Sequence, residues 1–521
     1  MTVEGVTRTA TGMLRGVEES GVWAFRGVPY ARVIPGPGGR WREPEAPGSW
    51  AGTRVATSWG PIAPQTAPVP GFSLPGDPTA SDEDCLNLNV WTPALDDRRR
   101  PVLVWLHGGG FTTGTGASAL FAGRHLASKG VVVVTINYRL GALGLLAHPD
   151  LVGAENSGWG NWSLHDQIAA LRWVNQNIAG FGGDPGNVTL FGESAGAMSV
   201  ACLLTAPNAS GLFHRAVVQS GPPATASPQW AMRRAQRLAH HVGVPADALA
   251  SLRNVPAERL VEATQRLAVE APADGGLPLP LLPVVDGGLL ERPPGDVIVE
   301  GAAPSVPLLL GTTRDECALF TTADEGDAAV DDARVATRLA RLMGPAAADV
   351  VDVYREARLA RREPVTGRDL WTAVTTDYVF RLPLLALASA YAKYQTKTYA
   401  YLFTWQSPFL GGMFGSCHGL EIPFVFGSVE DPAVQPFTGA GPEATALSEQ
   451  MQDAWVAFAR HGDPSCDALG PWAAYDSVAR PTMVFGPDGG VEDDPRRAER
   501  LIWDETGTAV SMGHHHEWLE Q

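Results

Sequence analysis

The chain has 521 residues, 45% hydrophobic and 18% charged, with a formal net charge of −17. That is the composition of a globular protein with length enough for a large core. The acidic balance argues against a nucleic-acid partner and against electrostatic binding to anionic membranes. The longest apolar runs, such as Val131–Ile136 and Leu382–Ala390, fall well short of the roughly 20 residues that a spanning helix needs. Met1–Gly16 lacks the apolar centre of a secretory signal. Five cysteines, Cys85, Cys202, Cys317, Cys417 and Cys466, make an odd, sparse set rather than a disulfide framework. No C-x-x-C pair offers a structural zinc site. A soluble cytoplasmic protein with free thiols is therefore expected, and the sequons at Asn161, Asn187 and Asn208 are then accidental.

Residues up to Phe25–Tyr30 read as short strands and turns, and residues 57–84, rich in Pro, Gly, Ser and Thr, read as a surface loop. Cys85–Trp91, Val102–Leu106, Val131–Asn137 and Val188–Phe191 are short apolar or β-branched runs, the pattern of strands buried on both faces. Between them, Leu164–Ile178 places Leu164, Ile168, Leu171, Val174 and Ile178 on one helical face. Alternation of this kind predicts an α/β fold with a large, mostly parallel sheet covered by helices. Helical segments are expected from Trp230 to Ala271, over 325–395 and over Pro442–Arg460. Strands are expected at Val306–Leu310, Thr398–Trp405 and Thr482–Gly486. We read residues 1–505 as one domain with helical insertions near 225–300 and 325–395. Residues 506–521, with His514, His515 and His516, read as a flexible tail rather than a metal site.

The strongest local signal is Gly192-Glu193-Ser194-Ala195-Gly196, between the strand Val188–Phe191 and a helix-like run at Ala197–Leu204. A serine on a strand-to-helix turn between small residues is the arrangement of a nucleophile elbow. The helix start behind it favours negative charge on a bound acyl oxygen. A second signal, His107-Gly108-Gly109-Gly110-Phe111, follows the strand Val102–Leu106. Its glycines allow backbone N–H groups close to a substrate oxygen, as an oxyanion hole requires. A phosphate loop is excluded, because no Lys-Ser/Thr follows in register.

A serine needs a histidine base and an orienting acid. His418 follows the loop after the strand Thr398–Trp405, and Glu316 follows the strand Val306–Leu310. In a parallel sheet these segments emerge at the same edge as Ser194 and the Gly108–Gly110 loop. The order Ser194, Glu316, His418 is that of nucleophile, acid and base in α/β-hydrolases. Asp315 and Glu421 remain rivals for the acid, and Glu193 for a second base. His148, His165 and His214 lie in or beside predicted helices and read as packing or surface residues.

The chain resembles the type-B carboxylesterase family, which includes bacterial para-nitrobenzyl esterases and cholinesterases. The resemblance rests on Glu83–Val90, His107–Phe111, Asn137-Tyr138-Arg139, Asp166-Gln167 through Trp173-Val174, Phe181–Pro185, Gly311–Glu316 and His418–Phe424. It implies an α/β-hydrolase fold whose helical insertions form an active-site gorge. It implies hydrolysis of carboxylic esters through an acyl-enzyme on Ser194, without metal or cofactor. It favours Glu316 over Asp315 as the acid and makes Gly109, Gly110 and Ala195 the oxyanion donors. Small-molecule esters are then the partners. No cysteine precedes Cys85, so the bridge that secreted members form from that position is absent. Cys317 replaces the usual glycine after the acid, and Cys417 precedes His418; an oxidisable pair is conceivable there. The loop Phe72–Asp82 is short and contains no Trp, which predicts no selectivity for choline esters. An acyltransferase, lactonase or biosynthetic tailoring enzyme would use the same triad. A non-catalytic binding protein of this fold would have no need of it.

Overall fold

A computed structural model describes residues 5–66, 74, 76–152, 158–270, 279–321 and 332–506. The triple histidine and most of the expected tail lie outside the described residues, as does part of the loop at 57–84. The strands are β1 (Val6–Thr9), β2 (Gly12–Arg15), β3 (Val17–Glu19), β4 (Val22–Pro29), β5 (Thr53–Val55), β6 (Asn87–Thr92) and β7 (Arg100–Leu106). They continue with β8 (Val132–Ile136), β9 (Gly183–Glu193), β10 (Arg215–Gln219), β11 (Leu308–Thr313), β12 (Thr398–Phe403), β13 (Pro481–Phe485) and β14 (Gly490–Asp493). β1, β2 and β5 form a small sheet, and the other eleven form one large sheet in the order β14-β13-β12-β11-β10-β9-β7-β8-β6-β4-β3. The seven strands from β8 to β13 in that order are mutually parallel, and the strands outside them pair antiparallel. The expected mostly parallel α/β sheet is what the chain forms.

Alternation of side chains across the pleat explains why these strands are apolar without interruption. Val102, Val104 and Leu106 of β7 join one core with Leu164, Ile168, Leu171 and Val174 of the helix Trp162–Asn177. Leu103 and Trp105 point the other way, into a core with Met451, Trp455 and Phe458 of the helix Pro442–His461. Two further clusters sit beyond the sheet. One unites Phe111, Met198 and Leu281 with the helices Pro228–Val242 and Ala257–Val269. The other unites Trp371, Phe380 and Trp503 with the helices Asp332–Met343, Ala347–Ala360 and Gly367–Thr376.

β7 and β9 are neighbours, yet β7 continues to β8 on one side and β9 to β10 on the other. Crossovers that leave in opposite directions open a crevice at the carboxyl ends of the strands. The Gly108–Gly110 loop and Ser194 both follow those two ends.

Among the elements that were not anticipated are β10, β14 and the helix Arg497–Thr506. β14 is exposed along its whole length and so carries no apolar pattern. The helix predicted at Leu164–Ile178 begins two residues earlier and is buried nearly all round, including Ser163, Asp166 and Gln167. Asp166 accepts from Arg139 Nη2 at 2.6 Å, Nε at 2.8 Å and the Arg139 backbone N–H at 3.0 Å. Arg139 follows β8, so this pair fixes the helix against the sheet edge. Removing one partner leaves an uncompensated buried charge, which costs about 3–5 kcal/mol. Asp166→Ala should lower stability by about that amount in denaturant unfolding. A loss below about 1 kcal/mol would show that the pair does not anchor the helix.

Candidate active site

Ser194 occupies the turn between β9 and the helix Ala195–Leu203, with φ 54° and ψ −124°. That conformation is costly for any residue but glycine and needs support from its surroundings. The support is close at hand. Ser194 N–H donates to Gln219 O at 2.9 Å, and Ser194 O accepts from Met198 N–H at 2.9 Å. A Cβ on Gly196 would lie 2.0 Å from Leu106 O, so only glycine lets the helix come this close to β7.

Gly109 has φ 108° and Gly110 φ 60°. Among the described residues, nothing accepts from their N–H groups. A Cβ on the preceding Gly108 would sit 3.1 Å from Ser194 Cβ, which places the glycine loop directly against the serine turn. The loop is held from behind: Tyr138 O–H donates to His107 O at 2.6 Å, and the two rings stack 4.4 Å apart.

Glu316 and His418 meet across two loops. His418 Nδ1 lies 2.5 Å from Glu316 Oε2, and Glu316 Oε1 accepts from Thr313 N–H at 2.7 Å. Glu316 is fully buried. The imidazole packs against Phe380 and Phe320, with ring centroids at 5.0 and 5.3 Å. Its Nε2 lies 3.0 Å from Glu193 Oε1 but forms no hydrogen bond, and so none with Ser194 Oγ. Such a contact is commonly loose before substrate arrives.

Three carboxylates therefore surround one imidazole. Burial alone would lower the His418 pKa, but Glu193 and Glu316, with Glu421 beyond them, raise it to about 9. Burial raises Glu193 to about 7, against the pull of His418. Glu421 is raised to about 8 by burial and by the charges of Glu193 and Glu316. Its Oε1 accepts from Gln219 Nε2 at 3.2 Å, so it props the floor of the site and does not contact Nδ1. Asp315 Oδ2 is taken by Arg314 at 2.7 Å and by Ser416 N–H at 2.9 Å. Of the three acids considered for Nδ1, only Glu316 reaches it.

The other sequence candidates lie elsewhere. His148 Nδ1 accepts from Asp150 N–H, His214 Nδ1 from Val188 N–H, and His165 is buried beside Trp162. Asp77, in the short loop without Trp, accepts from Ser118 Oγ, Ala119 N–H and Leu74 N–H, which tie the loop to the segment at 118–119. Among the described residues no cluster of His, Cys, Asp and Glu is arranged to hold a metal, and no helix is long and apolar enough to cross a membrane.

The Carboxylesterase family model matches residues 4–503. The chain belongs to the carboxylesterase family. It is 38% identical to the para-nitrobenzyl esterase of Bacillus subtilis (strain 168), over 95% of this chain and 97% of that one. It is 37% identical to the phenmedipham hydrolase of Pseudarthrobacter oxydans, over 94% and 96%. Among solved structures it superposes on a PNB esterase with a TM-score of 0.84 at 36% identity, covering 96% of this chain and 99% of the other. A carboxylesterase of Geobacillus stearothermophilus gives a TM-score of 0.83 at 40% identity, covering 96% and 100%. The protein is thus a carboxylic ester hydrolase with the α/β-hydrolase fold.

Two features of this carboxylesterase escaped the sequence reading. Phe380 comes to the imidazole on a π-turn, Asp377–Arg381, whose Asp377 is paired with Arg381 at 2.6 Å. Nothing in the local pattern marks it. Phe320, four residues after Glu316, could have been suspected from one helical turn of spacing. Cys317 and Cys417 enter separate cores, Cys317 with Trp371 and Val374, Cys417 with Phe403 and Phe424. Burial pushes the Cys317 thiol up to about 12 and raises that of Cys417 as well. Cys85 and Cys202 are also buried, whereas Cys466 is partly exposed. A thiol reagent should therefore titrate one cysteine quickly in the native carboxylesterase and all five after unfolding. Two fast thiols, with activity lost as they react, would mean that Cys317 or Cys417 is accessible.

Proposed function

We propose that the carboxylesterase works through Ser194 as nucleophile, His418 as general base and acid, and Glu316 as the carboxylate that orients the imidazole. Gly109, Gly110 and Ala195 supply the oxyanion N–H groups. Ser194 Oγ attacks the ester carbonyl carbon while His418 Nε2 takes its proton. Negative charge develops on the carbonyl oxygen, and the three N–H groups receive it. Collapse breaks the C–O bond to the alcohol, which leaves with the proton from His418. Water then attacks the acyl-serine by the same route in reverse. Glu316 accepts the Nδ1–H throughout, so Nε2 stays free for the proton.

The observation that carries this reading is the buried 2.5 Å contact of Glu316 with His418, whose other nitrogen faces the Glu193–Ser194 turn. The substrates we assign are neutral carboxylic esters of small molecules, in keeping with a relative named for para-nitrobenzyl esters. No cofactor is needed, since the chain's own side chains supply nucleophile and base and its backbone supplies the oxyanion donors. A cytoplasmic setting suits the five unbridged cysteines.

Replacing Ser194 or His418 by Ala should lower kcat by on the order of 10³–10⁶, with the fold retained by circular dichroism. Glu316→Ala should cost less, because the carboxylate acts through the imidazole. Ser194→Ala retaining wild-type turnover, with contamination excluded, would refute the assignment.

The pH profile gives a second test. Imidazole must be neutral to accept the serine proton, so kcat/KM falls as pH drops through the His418 titration. With Glu316 as the one neighbouring carboxylate, an apparent value of roughly 6–7 would be expected. Three carboxylates move it upward, towards about 9. Because Glu193 and His418 share the field, the limb reports the pair. Glu193→Gln removes the carboxylate 3.0 Å from Nε2 and should shift the acid limb to lower pH by at least about half a unit. An unmoved limb would mean that Glu193 does not act on His418 in solution.

A further inference from the structure

Glu316 and His418 stand on loops that leave adjacent parallel strands, β11 and β12, and their meeting depends on how those loops are offset. β12 ends at Phe403, and the chain then makes a long excursion, 404–415, before returning with Ser416-Cys417-His418. An excursion of that length leaves the point of return undetermined unless something fixes it.

The fixing is done two residues before His418 and one before Glu316. Asp315 N–H donates to Ser416 O at 2.9 Å, and Ser416 N–H donates back to Asp315 Oδ2 at 2.9 Å. Ser416 Oγ donates to Phe403 O at 2.9 Å, and Arg314 N–H reaches the same carbonyl at 2.8 Å. The end of β12, the acid loop and the returning base loop are thereby tied at one point. The returning chain passes so close that a Cβ on Gly415, at φ 54°, would lie 2.5 Å from Asp315 Oδ2.

The same oxygen receives Arg314 Nε at 2.9 Å and Nη2 at 2.7 Å. A second guanidinium, Arg496, adds its field, and the two hold Asp315 below the usual carboxylate range despite its burial. Arg496 comes from a turn in which Asp494 and Arg496 both have positive φ, 48° and 61°. Non-glycine residues hold that conformation only when the surroundings enforce it. Arg496 is fixed there by Glu363 at 2.5 Å, and Glu363 also pairs with Arg361 and Arg358. The ion network at the C-terminal end of the described chain thus closes on the loop that carries Glu316.

We propose that Asp315 is a positioning residue, which clasps the acid loop to the base loop so that Glu316 and His418 meet in register. The proposal rests on the reading of Ser194, Glu316 and His418 as the triad. Asp315 makes no contact with the imidazole, so it acts through the geometry of its neighbours. Misplacing a reacting group by 1 Å can cost about a hundredfold in rate. A looser Glu316–His418 contact would also support the imidazolium less, leaving Glu193 and Glu421 as the remaining carboxylates around the ring.

The test compares Asp315→Ala, Asp315→Asn and Glu316→Ala in the full chain, by kcat, KM and the acid limb of kcat/KM. Asp315→Ala should lose at least about tenfold in kcat, with KM within about threefold, and its acid limb should move to lower pH. Asp315→Asn keeps an oxygen for Ser416 N–H and loses only the charge, so it should recover part of the loss. Glu316→Ala should fall furthest. A lower melting temperature with wild-type kcat and an unmoved limb in Asp315→Ala would overturn the clasp while leaving the triad intact. If Asp315→Ala does not fold, Asp315→Asn decides: reduced kcat at unchanged KM supports the clasp, and wild-type kcat overturns it. Wild-type activity in Glu316→Ala would overturn the triad reading, and the clasp with it.

Discussion

Ser194 at φ 54° and ψ −124° is the constraint around which the site is built. A conformation of this kind costs of order 1–3 kcal/mol, and the fold supplies the opposing contacts from three directions. Gln219, at the end of β10, accepts the Ser194 N–H and sits in register with Glu193. Gly196 lets the following helix lie against the end of β7. The helix itself is buried throughout, so it has no freedom to swing the turn open. The same contacts set the serine turn at the N-terminus of that helix, where the first N–H groups have no partner within the helix. On the proposed mechanism, strain here is the means by which the serine is presented with donors already in place.

Gln219 also links this turn to the electrostatics behind it. Its side chain donates to Glu421 and accepts from Trp455 Nε1 at 3.2 Å, so one buried amide joins the serine turn to a carboxyl that follows His418. Around the imidazole, Glu193, Glu316 and Glu421 compete for one positive charge. Burial raises both Glu193 and Glu421, while Glu316 is held by Thr313 N–H and by His418, which suits it to the orienting role proposed for it. Phe320 and Phe380 pack against the same ring.

Much of this was legible in the sequence because it is local. The Gly192–Gly196 turn, the glycine loop at 108–110 and the apolar strands each declare themselves within about ten residues, through backbone sterics or pleat periodicity. Chain order and a parallel sheet then sufficed to bring Ser194, Glu316 and His418 to one edge. What could not be read depends on residues far apart. β10 is a five-residue strand with polar ends that becomes evident only between β9 and β11. Phe380 approaches His418 from a π-turn that local spacing does not announce. Arg496 and Glu363 are 133 residues apart in sequence, and two ordinary surface residue types become a partly buried pair only in the folded chain. Asp315 and Glu316 illustrate the boundary well: adjacent, both acidic, and separable only once the direction of each carboxylate is known.

The most direct test of the account is to label the enzyme with diethyl p-nitrophenyl phosphate, a phosphorylating analogue of an ester substrate. Release of p-nitrophenolate, residual esterase activity and the modified peptide are followed together. The account predicts one equivalent of p-nitrophenolate per chain, activity falling in proportion to zero, and a single diethylphosphoryl group on Ser194. A fully labelled Ser194 with activity retained, or activity lost with the label on another residue, would contradict it.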